Sequence, residues 1–292
     1  MIILKAYIFP NLDKTNSLEY SVRACEILHE CGTQLLMDRE YSSCFSDLGY
    51  ISYSEHLDCI RKCDVVIVIG GDGTILKCAE AAASNNKPIL GINCGRLGFM
   101  ASLEHDDLDK LRELTRGRYT VSPRMMLKVI TSAGVFNALN DVVVSKSDDC
   151  KIADYEVSKG GRTISYLRAD GVIFSTATGS TAYSMSAGGS IIEPDMQCIE
   201  FTQMCAHSLF ARSMILSPSS EVTVTLHCRE NTHAMVNIDG NTVDVISDTA
   251  EVSISRSELT LDIIDIKGGS FFTSINEKLM QPLKGITGDK LL

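Results

Sequence analysis

A run of five consecutive β-branched residues, Val65–Ile69, is the feature that most constrains the fold of this chain. It leads directly into the sequence GGDGT and then into a helical pattern at 74–86. A strand without polar alternation is typical of a parallel sheet that helices cover on both faces. The alternation of strand and helix patterns predicts an α/β N-terminal domain with an open, mostly parallel sheet and flanking helices. The other patterns that alternate with this strand lie at 2–9, 18–28, 33–38, 87–93 and 106–117.

The pattern changes from about Tyr119 onward, where short strand-like segments are separated by Gly, Asn, Asp and Ser turns. These segments predict an all-β-rich C-terminal domain, with one helix between SAGGS and MCAHS. The segment SFFTSINEKLMQPLK predicts a strand and a helix that return to the N-terminal domain. We therefore expect an α/β domain formed by 1–121 plus 271–292 and a β-rich domain at 122–270.

Composition argues against several classes of partner. The 292 residues carry a formal net charge of −10, whereas nucleic-acid binding relies on concentrated Lys and Arg. No apolar run approaches the roughly 18 residues that span a bilayer, so no membrane partner is expected. The eleven cysteines show no CxxC pair and no zinc-site spacing. Free thiols of this kind, together with an N-terminus unlike a signal peptide, predict a cytoplasmic protein.

The loop Gly70-Gly71-Asp72-Gly73-Thr74 is the first candidate site. Its glycines allow a close approach of phosphate oxygens, and the helix that follows offers free N–H groups to an anion. A carboxylate in such a loop suits a base that takes a proton from an attacking hydroxyl, or a ligand of a magnesium ion. The alternative is a tight turn in which Asp72 caps the helix. Lys77, one turn further on, is a candidate phosphate contact or a solvated helix residue.

Two weaker signals lie further along the chain. The loop GINCGRLGF follows the next strand, so it is expected at the same carboxyl edge of the sheet, where Arg96 is a candidate phosphate contact. Asn140 and Asp141 precede the strand pattern VVVSK. They suit hydrogen bonds to ribose hydroxyls, although such a pair also caps turns. Neither signal decides a function by itself.

The longest candidate site is LRADGVIFSTATGSTAYSMSAGGSIIEP, residues 167–194. It surrounds Gly179 with serine and threonine hydroxyls, which suit a polar ligand held by many neutral hydrogen bonds. Tyr183 is the single aromatic side chain of its hydroxyl-rich part and is a candidate for stacking on a base. An exposed flexible loop is the alternative, but the apolar VIF within it argues against that interpretation.

Read in order, IGGDGT, GINCGRLGFM, NDVVVSK, the block LRADG to STATGSTAYSMSAGG, and HSLFARSMILSP resemble the bacterial-type NAD kinase (ATP-NAD kinase) family. The resemblance implies an Mg²⁺-dependent transfer of the terminal phosphoryl group of ATP to the adenosine-ribose 2′-hydroxyl of NAD. It also implies a homodimer or homotetramer, with NAD and ATP as small-molecule substrates. Magnesium ligands, the range of phosphoryl donors and the choice between NAD and NADH stay open.

The resemblance also implies roles for individual residues. Asp72 is expected to be the catalytic base, and Gly70, Gly71, Gly73, Thr74 and Lys77 are expected to face the phosphates. The β-rich domain is expected to bind NAD, with Arg168 and Asp170 at the nicotinamide end, in part across a subunit contact. The full set expected to bind NAD is Asp72, Gly73, Asn140, Asp141, Lys151, Arg168, Asp170, Thr178, Thr181, Ala182, Tyr183, Ser184, Met185, Ser186 and Asn241.

Three positions depart from the family pattern. Asp141 stands where the family usually has Glu, Ala177 replaces a Pro, and Ser213 replaces another Pro. None of these changes removes a group that the reaction needs. Two alternatives to the NAD kinase reading are a lipid kinase that shares GGDG and a catalytically silent NAD(P)-binding module.

Overall fold

The computed structural model describes residues 3–95, 98–147, 153–208, 211–227, 233–268 and 271–280. Contacts divide the chain into two compact units, one formed by the residues up to Pro123 and from Leu261 onward, the other by Arg124–Thr260. Residues 261–268, which the sequence grouped with the β-rich domain, therefore pack with the first unit.

The first unit is built on the parallel sheet that the β-branched run predicts. Its strand order is β5-β4-β1-β2-β3, and each neighbouring pair is parallel. The strands are β1 (Lys5–Pro10), β2 (Gln34–Asp38), β3 (Ile51–Ser54), β4 (Val65–Gly70), β5 (Ile89–Asn93) and the short β6 (Leu103–Glu104) beside β5.

Helices cover this sheet and complete its core. Apolar side chains of the strands and of the first and fourth helices form one buried cluster. The prediction of an open, mostly parallel sheet with flanking helices is confirmed. The helices are α1 (Ser17–Glu30), α2 (His56–Lys62), α3 (Asp72–Ser84) and α4 (Leu111–Thr115), with 3₁₀ turns at Arg39–Tyr41 and His105–Lys110.

The order of the strands places a topological switch point in this sheet. The chain moves from β1 to β2 on one side, and β4 returns to the other side of β1. Ligands bind open α/β sheets at the carboxyl ends of the two strands that flank such a point. Those ends are Asn11, which follows β1, and the GGDGT turn, which follows β4.

The second unit is β-rich, as expected. Its strands form two antiparallel groups that share one apolar core. One group has the order β14-β13-β12-β9-β16-β17, and the other contains β7, β8, β10, β11, β15 and β18. The bounds are β7 (Thr120–Thr131), β8 (Gly134–Ala138), β9 (Asp141–Lys146), β10 (Ala153–Lys159), β11 (Arg162–Ala169), β12 (Gly171–Ser175), β13 (Ile199–Met204), β14 (Met214–Leu216), β15 (Val222–His227), β16 (Ala234–Ile238), β17 (Asn241–Ile246) and β18 (Glu251–Asp265).

The expected helix between SAGGS and MCAHS is wrong. A short helix α5 (Tyr183–Ser186) ends where that stretch begins, and β13 occupies its later part. Gly188 adopts a left-handed φ of 89°, and Gly189 N–H donates to the Ser184 carbonyl at 2.8 Å. This geometry is that of a glycine closing a helix, so the glycine pair marks an end and not a beginning.

Two strands belong in part to each unit. β7 begins in the first unit and continues into the second. β18 pairs with β15 in the second unit, and its last residues belong to the first unit, where Ile263 pairs with Ile89. Helix α6 (Phe271–Met280) follows. Among the described residues, no helix is both long and apolar enough to cross a bilayer.

Candidate active site

The GGDGT turn joins β4 to α3 without an intervening loop. Thr74 accepts a hydrogen bond from Gly71 N–H at its Oγ1, 3.3 Å away, and its own N–H donates to the Gly71 carbonyl at 2.8 Å. A Cβ on Gly70 would overlap the Thr74 side chain. The glycine is needed because the strand end and the first helical turn approach this closely.

Asp72 is the first residue of α3, and its carboxylate turns away from its own helix. Oδ2 accepts a hydrogen bond from Phe99 N–H at 2.7 Å, and Oδ1 accepts one from Met100 N–H at 3.1 Å. The helix-cap interpretation of Asp72 is therefore wrong. A carboxylate offers about four lone-pair positions, so two bonds leave room for a hydroxyl or a metal ion.

The segment that holds Asp72 belongs to the GINCGRLGF loop. A Cβ on Gly98 would overlap the Asp72 carboxylate, so only glycine allows the loop to close on it. Arg96, the predicted phosphate contact, lies outside the described residues. The sequence pointed to this loop, but nothing in it indicated the two N–H donors, because backbone groups leave no residue-type signal.

Asn11 is a residue of this region that sequence reasoning missed. Its side-chain N–H donates to Thr74 Oγ1 at 3.1 Å, and its backbone N–H donates to the Ile69 carbonyl at 2.8 Å. It thereby ties the end of β1 to the turn after β4 at the switch point. An Asn just past the first strand was the only available signal.

Lys77 lines an open cavity of about 640 Å³ in the first unit. Its side chain is exposed, one and a half turns after Asp72. The cavity carries both signs of charge, since its other lining residues are Phe9, Asp38, Arg39, Glu40, Glu55 and His56.

In the second unit, the half-buried carboxylate of Asp239 organises the Asn140-Asp141 pair. Asp239 accepts hydrogen bonds from the N–H groups of Leu139 and Asn140 at 2.8 Å each and from that of Asp141 at 3.0 Å. Asp239 and Gly240 both adopt left-handed φ values, 48° and 83°, in the turn between β16 and β17. Asn241 follows that turn and is exposed at the start of β17.

Asn140 is buried and incompletely paired. The residue is 8% exposed, and its Oδ1 finds no hydrogen-bond donor among the described residues. A buried acceptor without a partner is costly in a folded protein. The Asn140 backbone lies so close to Gly179 that a Cβ on that glycine would overlap it.

Asp141 is a buried carboxyl group with an unusual proton affinity. Burial first and the charge of Asp239 second raise its pKa from 3.8 to about 7, while a hydrogen bond from Tyr183 N–H opposes the rise. Near neutral pH the group exchanges between its charged and neutral forms.

The hydroxyl-rich segment divides into inward and outward side chains. Thr178, Ser180 and Ser184 are buried, and the Ser184 hydroxyl donates to Glu200 at 2.7 Å. The predicted contacts that stay accessible to a ligand are Thr181, Ala182, Tyr183, Met185 and Ser186, of which Tyr183 is 48% exposed.

The structure does not place Arg168 and Asp170 with Asn140 and Asp141. Asp170 precedes β12 and pairs with Lys146 at 2.8 Å, whereas Asp141 lies opposite Ser175 at the other end of β12. These ends are roughly 13 Å apart along the strands. Arg168 forms a two-pronged ion pair with Asp154, at 2.7 and 2.8 Å. Lys151, another predicted NAD contact, lies outside the described residues.

The chain matches known proteins over most of its length. Residues 6–119 match the family described as ATP-NAD kinase N-terminal domain, and 139–266 match the ATP-NAD kinase C-terminal domain. An NAD kinase of Acetivibrio thermocellus is 31% identical over 283 residues, covering 95% of this chain and 97% of that protein. The chain belongs to the NAD kinase family.

Two solved structures show the fold of this NAD kinase family member in other proteins. A yeast NADH kinase in complex with NADH has a TM-score of 0.85 at 22% identity, covering 99% of this chain and 90% of that one. An NAD kinase from Archaeoglobus fulgidus in complex with ATP has a TM-score of 0.72 at 21% identity, covering 95% and 99%. The predicted family and fold are confirmed, while the role of each residue stays a prediction.

Proposed function

We infer that this chain is an NAD kinase, which transfers the terminal phosphoryl group of ATP to the 2′-hydroxyl of the adenosine ribose of NAD and releases NADP. Family membership through both domains supports this activity. The observation that carries the mechanism is the carboxylate of Asp72, held by Phe99 and Met100 at the start of α3.

Asp72 is the general base in this proposal. Both oxygens are held by backbone N–H groups, which do not rotate away as side chains do, so the carboxylate is pre-positioned. It accepts the proton of the 2′-hydroxyl as that oxygen attacks the phosphoryl group. Little other covalent work is asked of the protein, since phosphoryl transfer depends mainly on positioning and charge.

The phosphates are assigned to the first turn of α3. Gly71, Gly73 and Thr74 form the loop that faces them in this proposal, the positive end of the α3 dipole lies there, and Lys77 adds a positive charge. A divalent metal, Mg²⁺ in this proposal, arrives with ATP and offsets phosphate charge when bound. The unoccupied lone pairs of Asp72 fit such an ion, because Mg²⁺ usually takes one or two carboxylates and completes its shell with water and phosphate.

NAD is assigned to the second unit. The unpaired Oδ1 of Asn140 supports this, because an adenosine N–H or O–H donor would satisfy it. Tyr183 offers an exposed ring for stacking, with Thr181, Ala182, Met185 and Ser186 around it. Asp141 and Asn241 complete the adenosine contacts. Lys151 adds a basic contact, and Arg168 and Asp170 serve the nicotinamide end.

Two residues that the resemblance implied as direct NAD contacts, Thr178 and Ser184, receive a supporting role in this proposal. The Thr178 and Ser184 side chains are buried, and Ser184 already donates to Glu200. We assign them to the support of the NAD-binding segment. We further propose a cytoplasmic homodimer or homotetramer. The nine described cysteines are free thiols, as a reducing compartment favours.

The two alternatives are less favoured. A lipid kinase would share only GGDG with this family, whereas the match to NAD kinases extends across both domains. A silent NAD(P)-binding module has no need of a carboxylate held in place beside the phosphate loop. Pelleting of the protein with liposomes would favour the lipid kinase. NAD binding without turnover would favour the silent module.

The test is an assay with ATP, Mg²⁺ and NAD, in which NADP is detected by an NADP-specific dehydrogenase. We expect NADP from the wild type and a loss of turnover of about 10²–10⁴ in Asp72→Asn, with NAD binding retained in calorimetry. Asp109→Asn is the matched control, because this carboxylate is 79% exposed. Equal turnover in Asp72→Asn and the control would remove Asp72 from the role of base.

A further inference from the structure

Glu200 is a fully buried carboxyl group in β13 that the proposed mechanism does not use. Its Oε2 accepts hydrogen bonds from Ser184 Oγ at 2.7 Å and Ser175 Oγ at 3.2 Å. Its Oε1 accepts one from Ser190 N–H at 2.6 Å. Burial of a carboxyl group is unfavourable unless its oxygens are satisfied, and here both are.

The three donors are spread along the NAD-binding segment. Ser175 ends β12, Ser184 lies within α5, and Ser190 follows the glycine pair that closes α5. One carboxyl group therefore fixes the beginning, the middle and the end of a 16-residue segment, 175–190. The segment holds only a 3₁₀ turn at Gly179–Thr181 and the four-residue helix α5, and such short helices have little stability of their own.

A chain of hydroxyls extends this anchor on the side of Ser184. Ser184 Oγ lies 2.9 Å from Thr202 Oγ1, which lies 3.1 Å from Ser213 Oγ. A Cβ on Gly189 would overlap Ser184 Oγ and come within 3.0 Å of Glu200 Oε2. The segment is thus packed directly on the carboxyl group, with no space for a larger residue.

The anchored side chains alternate with the accessible ones. Ser184 points inward to Glu200, while Tyr183 on one side and Ser186 on the other are exposed. Because α5 is a single turn, the direction of Ser184 sets the direction of its neighbours. Loss of the anchor would leave three donors without their acceptor and would release Tyr183 from its present orientation.

We propose that Glu200 is a positioning residue for NAD: through Ser175, Ser184 and Ser190 it holds the 175–190 segment in the conformation that binds the dinucleotide. This inference rests on the proposed function only because it names NAD as the ligand. Glu200 does not touch the substrate, and the effect of its loss falls on NAD affinity and not on the phosphoryl donor.

The experiment measures the Kd for NAD by calorimetry in Glu200→Leu and Glu200→Gln. Leu removes all three acceptor contacts, and we expect NAD affinity to fall about tenfold or more. Gln fits the same space. Its amide oxygen accepts from Ser190 N–H, while the hydroxyls of Ser175 and Ser184 accept from its amide N–H groups, so affinity should return to within about threefold of the wild type.

Glu193→Leu and Glu193→Gln are the matched controls, since Glu193 is exposed in the same connection. The steady-state KM for ATP should stay within about twofold of the wild type in all four variants. If Glu200 only supported folding, its loss would lower the fraction of active protein and leave the NAD affinity and the KM for ATP unchanged. Unchanged NAD affinity in folded Glu200→Leu would overturn the proposal.

Ser184→Ala keeps the proposal testable if Glu200→Leu does not fold. It removes one of the three donors to Glu200, and we expect a loss of NAD affinity that is smaller than that of Glu200→Leu. No loss of NAD affinity in Ser184→Ala would overturn the proposal. The calorimetric readout does not depend on turnover, so a wild type that binds NAD without making NADP would refute the proposed function and leave this test intact.

Discussion

The N–H of Phe99 donates to the carboxylate of Asp72 at 2.7 Å, across 27 residues of sequence. The donor lies in the loop after β5, and the acceptor begins the helix after β4. Neighbouring parallel strands bring these loops to one edge of the sheet. The proposed base is therefore positioned by the tertiary structure of the first unit and not by its own helix.

Gly98→Ala should lower the turnover of NADP formation by about tenfold or more, because the new Cβ would displace the Asp72 carboxylate. Gly95→Ala is the control, since a Cβ at Gly95 meets no atom within 4 Å. The kcat of both variants is compared with the wild type. Similar kcat values for the two variants would show that the position of the carboxylate does not limit the reaction.

Gly179→Ala should disturb the Asn140 region of the second unit. The added Cβ would overlap the Asn140 backbone, so we expect a loss of about 1–3 kcal/mol in the free energy of unfolding and weaker NAD binding. Urea denaturation and calorimetry measure the two effects. Gly49→Ala, where a Cβ meets nothing within 4 Å, is the control. Unaltered NAD affinity in Gly179→Ala would place the adenosine contacts elsewhere.

Asn11 and Thr74 should be energetically coupled through their side-chain hydrogen bond at 3.1 Å. We expect Asn11→Ala and Thr74→Val together to cost about 0.5–1.5 kcal/mol less than the sum of the single changes. The free energies come from urea denaturation of the wild type and three variants. Strict additivity would mean that this bond contributes nothing to the GGDGT turn.

Asp141 should make stability decrease with rising pH. Its folded-state pKa of about 7 lies above 3.8, the ordinary value of an aspartic acid. Its contribution to the free energy of unfolding is therefore complete below about pH 4 and is lost as pH rises through about 7. Asp141→Asn carries no charge and should lose this dependence. The free energy of unfolding is measured in urea at about pH 5 and about pH 8. We expect the stability of Asp141→Asn relative to the wild type to be higher at about pH 8 than at about pH 5.

The exposed Asp262→Asn serves as the control for that measurement, and its stability should follow the wild type at both pH values. Parallel pH profiles for Asp141→Asn and the wild type would contradict the raised pKa. The expected cause of the shift is burial first and the charge of Asp239 second.

Much of the fold could be predicted because it depends on local patterns. The β-branched strand at 65–69 and the helix after GGDGT follow from burial on both faces and from glycine spacing. The prediction of a helix after Ser186 was wrong because glycine pairs both begin and end helices. Only the left-handed φ of Gly188 shows that this pair ends one. The units divide at Leu261, within a single strand that has no sequence break.

The sequence by itself determined the α/β character of the first unit, the β-rich character of the second, the family, and the residue types available for chemistry, because these depend on short-range periodicity and on motif spacing. Only the tertiary structure decided which groups meet. It paired the Asp72 carboxylate with Phe99 and Met100, directed Ser184 inward to Glu200, and placed Arg168 on Asp154. Such pairings depend on strand register and on contacts between distant segments, and no local pattern encodes them.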